Sequence, residues 1–166
     1  IVTDAGCVTL KQYTSQHSDG DPHDIEGFVV PISADEPLLD TDDSFADPLI
    51  RLATSWLMKT PWIIAGDEEC VPLRHSPYCY GFEPNGSHIQ LYFYEGTEGE
   101  VETLLMDPID LELEELVTAS LEMGNDVLTW AMQLNDGDTD EDLAELKETL
   151  EEARKAWQAH KHKDSR

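Results

Sequence analysis

The chain has 166 residues, of which 36 are Asp or Glu and only 10 are Lys or Arg, for a net charge of −26. With 40% hydrophobic residues and four Trp it carries enough apolar surface to bury a core, which excludes a disordered acidic tail. The sign of the charge argues against direct binding of nucleic acid, and no apolar run approaches the ~18 residues of a transmembrane helix.

In chain order, residues 7–15 alternate as a strand, with Val8, Leu10 and Gln12 on one face. Residues 16–24 are polar and rich in turn formers, and 26–33 form a second strand that Pro31 places at an edge or end. An acidic loop over 34–46 follows. Asp47-Pro48 reads as an N-cap with proline at the first helical position, and the stripe Leu49, Leu52, Ala53, Trp56 and Leu57 predicts a helix over 48–58. Residues 61–66 (PWIIAG) read as a short buried strand. Further strands are expected over 69–74, 77–83, 87–95 and 100–106, with turns at Asn85-Gly86 and at 96–99.

From residue 108 the period becomes helical. Leu113, Leu116, Val117, Leu121, Val127, Leu128, Ala131 and Leu134 form one stripe, interrupted at Gly124-Asn125, where a kink or split is expected. Asp136-Gly137-Asp138 reads as a turn, and Thr139 with Asp142 as a capping box. Leu143, Leu146, Leu150, Ala153 and Trp157 then repeat at spacings of three and four, a helix with a narrow apolar seam. The expected architecture is α+β: an antiparallel sheet, one short helix in the N-terminal half and a C-terminal helical hairpin. Residues 1–158 make a single domain and 159–166 a flexible basic tail.

The charge is unevenly spread. Residues 75–146 contain no Lys or Arg and 18 carboxylates; residues 12–50 contain none and 10 carboxylates. Carboxylates on one helix face stand about 5–6 Å apart, a rigid spacing that loosely resembles a nucleic-acid backbone. Such a face could occupy the phosphate-binding groove of a basic protein, with fast, salt-sensitive association. The residues expected to form it are Glu112, Glu115, Glu122, Asp126, Asp140, Glu141, Glu145 and Glu148, with Tyr92, Tyr94 or Trp130 as aromatic anchors.

Other chemistry is thinner. Cys70, His75 and Cys79, with His88 nearby, lack the paired short spacing of a zinc site. Asp136, Asp138 and Asp140 fail as an EF-hand loop, because Glu141 and Lys147 stand where Gly and Glu are needed. Asp67, Glu69, His75 and His88 could make a hydrolytic site if they converged. Acidic neighbours disfavour a reactive thiolate at Cys70, and no P-loop, G-x-G-x-x-G or G-x-S-x-G motif occurs. No metal or cofactor is expected. The odd number of cysteines, three, points to a reducing, cytoplasmic setting. The opening at Ile1 leaves room for a trimmed targeting segment.

The reading is therefore an acidic binding or inhibitor protein, a nucleic-acid mimic or immunity-like protein that blocks a basic nuclease or nucleic-acid-binding enzyme. The alternatives are a small hydrolytic enzyme at the carboxylate and histidine set, an acidic subunit docking through the 143–157 seam, and charge that serves only solubility in salt.

Overall fold

The computed structural model describes residues 2–3, 6–14, 26–33, 36–39, 47–134 and 140–164. They form an α+β fold with two antiparallel sheets and three helices. The first sheet joins β1 (Val2–Thr3), β2 (Gly6–Thr14), β3 (Glu26–Ser33) and β4 (Glu36–Pro37) in that order, and β5 (Asp47–Pro48) pairs with β3. The second sheet runs β6 (Glu69–Pro72), β7 (Tyr78–Asn85), β8 (His88–Thr97) and β9 (Glu100–Glu112), a meander with β6 and β9 at its edges. Around these lie α1 (Leu49–Ala65), α2 (Leu113–Leu134) and α3 (Glu141–Asp164).

Helix α1 is longer than its sequence suggests. Residues 61–66, expected as a strand, continue the helix with Pro61 inside it. Proline there removes one backbone N–H, but Ile63 and Ile64 extend the buried stripe of Trp56 and Leu57 by two turns. Gly66 ends the helix at φ 92°, and the N–H groups of Gly66 and Asp67 donate to the carbonyls of Ile63 and Trp62. At the other end Pro48, not Asp47, occupies the N-cap position without a side-chain cap.

The core gathers around Trp56. Its ring lies 5.0 Å from Tyr80 and 4.9 Å from Phe82, and its Nε1 donates to Ser120 Oγ at 2.9 Å. Tyr80 donates its hydroxyl to the Val29 carbonyl, tying β3 to the face of the second sheet that meets α1. The inward residues Ile89, Leu91 and Phe93 of β8 are buried, as their alternation implies.

Residues 108–112, expected at the start of a helix, complete β9 instead: Ile109 pairs with Leu91 and Leu111 with Ile89. Helix α2 runs unbroken through Gly124-Asn125. Gly124 marks a close approach rather than a kink, because a Cβ there would stand 2.5 Å from Leu57 Cδ1 and 3.3 Å from Leu150 Cδ1. The turn at 136–138 and Thr139 lie outside the described residues. Asp140 caps α3: its Oδ1 accepts the Asp142 N–H at 2.9 Å and its carbonyl accepts the Ala144 N–H. The segment expected as a basic tail carries α3 on to Asp164, with Lys161, His162 and Lys163 in the last turn, where they complement the helix dipole. None of the described helices is long and apolar enough to cross a membrane.

Candidate acidic binding surface

The seam Leu143, Leu146, Leu150, Ala153 and Trp157 is buried, so α3 docks within its own chain. Arg51 of α1 reaches Asp142 at 3.2 Å, and Ile64 shares an apolar cluster with Trp157, so α1 and α3 run parallel. Arg154 donates to Asn125 Oδ1 of α2 at 3.2 Å and pairs with Glu151 at 2.8 Å. With one face fixed in this way, helical geometry dictates what the other face presents. Positions 141, 145, 148 and 152 recur at spacings of four, three and four, within about 60° of one another around the axis and opposite the seam. All four are exposed glutamates, which makes one acidic stripe along α3.

The other expected residues divide. Glu122 and Asp126 are exposed on α2, as is Glu114 in its first turn, but between and beyond them that solvent face carries the neutral Asn125, Thr129, Met132 and Gln133. Glu112 is exposed where β9 meets α2. Asp140 is spent on the α3 cap. Glu115 is corrected outright: only 4% exposed, its Oε2 accepts the Glu112 N–H at 3.2 Å across the start of α2. The carboxylate reaches back three residues, as in a capping box, to satisfy a helix-end donor. Glu115→Ala is expected to destabilise the fold by about 1 kcal/mol. Glu115→Gln, which keeps an acceptor, should lose less; urea titration of both variants checks this.

The expected aromatic anchors are not available. Tyr94 is 2% exposed and donates its hydroxyl to the Thr97 carbonyl. Tyr92 is half-buried against Tyr94, with ring centroids 5.6 Å apart, and Trp130 packs on the core. Among the described residues the exposed aromatic is Trp62, at 57%, one turn from Met58 at 53% on the solvent side of α1. Reading 61–66 as a buried strand hid it. Met58 and Glu145 line the same hollow of about 300 Å³, with Arg51 and Asp142 in its wall, so Met58 borders the acidic stripe.

Asp47 sits in that hollow and is buried. Its carboxylate accepts the Arg74 N–H at 3.0 Å, pinning the turn after β6 to the start of α1. Burial holds the carboxyl above its ordinary value of 3.8, while the backbone donors and charges of Arg74 and His75 pull it down. The folded chain thus holds this proton more tightly than the unfolded chain does. Stability from this site falls as pH rises from the unfolded value through the raised folded one. Asp47→Asn keeps an acceptor and abolishes the titration. Its stability relative to wild type should improve in urea titrations as pH rises from the unfolded value of 3.8 through the raised folded one. A constant difference would mean that the carboxyl titrates normally.

The hydrolytic set does not converge. Glu69 pairs with Lys59 at 2.8 Å. His88 lies two strands away and three residues along, about 14 Å by strand geometry. Its Nδ1 is 3.1 Å from Ser87 Oγ. His75 is exposed in the turn after β6, beyond the opposite end of that strand from Glu69. Burial raises the Cys70 and Cys79 thiols, and the charge of Glu98 adds to it. Among the described residues, no group of three His, Cys, Asp or Glu side chains is placed to hold a metal ion. Neither family models, nor curated proteins, nor solved structures yield a match to this chain.

Proposed function

We propose that the protein is an acidic binding protein that neutralises a basic partner, such as a nuclease or another enzyme that binds nucleic acid. The observation that carries this reading is the α3 stripe Glu141, Glu145, Glu148 and Glu152, held rigid by a buried seam, with the exposed Met58 of α1 lining one hollow with Glu145. A solvated helix face needs some charge, but a solubility role does not require exposed large apolar side chains such as Met58 and Trp62 on the adjoining helix. Interfaces draw their affinity from such anchors and their speed and selectivity from charge. Rigid carboxylates can meet the lysines and arginines that would otherwise hold phosphates. The seam itself is filled, so a subunit docking through residues 143–157 would need a different face.

The test is capture from host lysate with wild-type chain and with a variant in which the four stripe glutamates are lysines. Wild type should retain a basic protein at low salt and release it near about 0.5 M, where screening is nearly complete over a few ångströms. Retention of the same protein by the variant would refute this surface.

A further inference from the structure

We propose that the free edge of β9 accepts an extended basic segment of a partner as an added strand. This rests on the reading of a basic partner but uses a surface separate from α3. Strand β9 is 13 residues long, and among the described residues it pairs only with β8. Its outer row of backbone donors and acceptors is the kind of template that takes a further strand. From Glu100 to Leu105 every side chain is exposed. Val101 is 49% exposed, Leu104 48% and Leu105 37%, an unusual apolar density for a sheet edge.

The charge on this edge selects the occupant. Glu100 and Glu102 alternate with Val101 and Thr103, and Asp107 and Asp110 follow, with no Lys or Arg anywhere in residues 75–146. A second copy of this chain would bring these acids against each other, so the charges block self-pairing. A strand that alternates Lys or Arg with Val, Ile or Leu meets both needs. Its cations meet the carboxylates of Glu100 and Glu102, and its apolar residues lie beside the exposed Val101, Leu104 and Leu105. The β8–β9 ladder shifts register between the pairs Gly96/Val101 and Glu95/Thr103, between Tyr94/Leu104 and Phe93/Met106, and again before Leu91/Ile109. The first two interrupt Glu100–Leu105, so an added strand there is short and pairs in separate pieces rather than along one regular row.

The probe is a labelled peptide of about ten residues alternating Lys and Val, titrated into the full chain and followed by anisotropy. Saturable binding is expected, together with loss in Glu100→Lys/Glu102→Lys and retention in the variant with the α3 stripe reversed. N-methylating every second amide of the peptide should weaken binding about 10-fold or more in one phase and little in the other, since only alternate amides face β9. A peptide of the same composition in blocks, five Lys then five Val, should bind far less. Equal binding of both N-methylated phases, or of the block peptide, would overturn strand addition in favour of plain charge attraction. Loss on reversing α3 with no loss on reversing β9 would overturn the site. Neither result bears on the α3 surface, which is judged by capture of the native partner.

Discussion

Replacing Trp56 with alanine should cost about 3–5 kcal/mol, the range for truncating a buried aromatic. Trp56 is fully buried, makes ring contacts with Tyr80 and Phe82 and donates to Ser120. It therefore holds α1, α2 and the second sheet together from one side chain. Ser120 keeps its own bond to the Leu116 carbonyl, so the loss is mainly of packing. A domain of this size has about 5–15 kcal/mol in total, and self-repulsion at −26 works against the compact state. The variant should thus lose a large share of its stability at low salt and regain part of it on screening, with its urea midpoint rising as salt is added. Trp56→Phe, which keeps an aromatic face, should fall between. A loss under about 1 kcal/mol for the alanine variant would mean that this residue does not join the three elements.

Most of the architecture was legible because period and burial agree. The alternation of 87–95, through Ile89, Leu91 and Phe93, and the seam of 143–157 each name side chains that the structure buries. The errors arise where a local signal outweighed a continuing pattern. The short apolar run PWIIAG reads as a strand, yet Ile63 and Ile64 keep the helical stripe going, and tertiary packing outweighs one missing hydrogen bond. The helical period reads as starting at 108, yet Ile109 and Leu111 still alternate and find partners in β8. Gly124 suggested a kink, but the space it leaves is filled by Leu57 and Leu150 of neighbouring helices, contacts invisible to a single sequence. At the candidate surface, α3 was readable from spacing alone. Glu115 was not, because a carboxylate beside an apolar stripe can turn to solvent or back to its own helix end. Trp62 was lost through the misread of 61–66, so this exposed aromatic of α1 came only from the fold.

The reversal of the α3 stripe separates local recognition from bulk charge. Each Glu→Lys change alters the charge by two, so the quadruple variant still carries −18 of the original −26. Long-range attraction to a basic partner would survive in large part. A second variant with Asp67, Glu83, Glu95 and Glu114 made lysine has the same net charge but leaves α3 intact. If recognition is local, the α3 variant should lose affinity by about 100-fold or more, since four favourable contacts become repulsive. The scattered variant should lose less than about 10-fold, mostly in the association rate. If both fall together, net charge alone drives association and the stripe has no special role. Trp62→Ala adds an independent reading: it changes no charge, so a loss of about 2 kcal/mol with an unaltered salt dependence places the aromatic inside the same contact. Helix α3 presents its outer face away from the core, so neither charge set should move the urea midpoint by more than screening explains. A change in binding would then report on the surface itself.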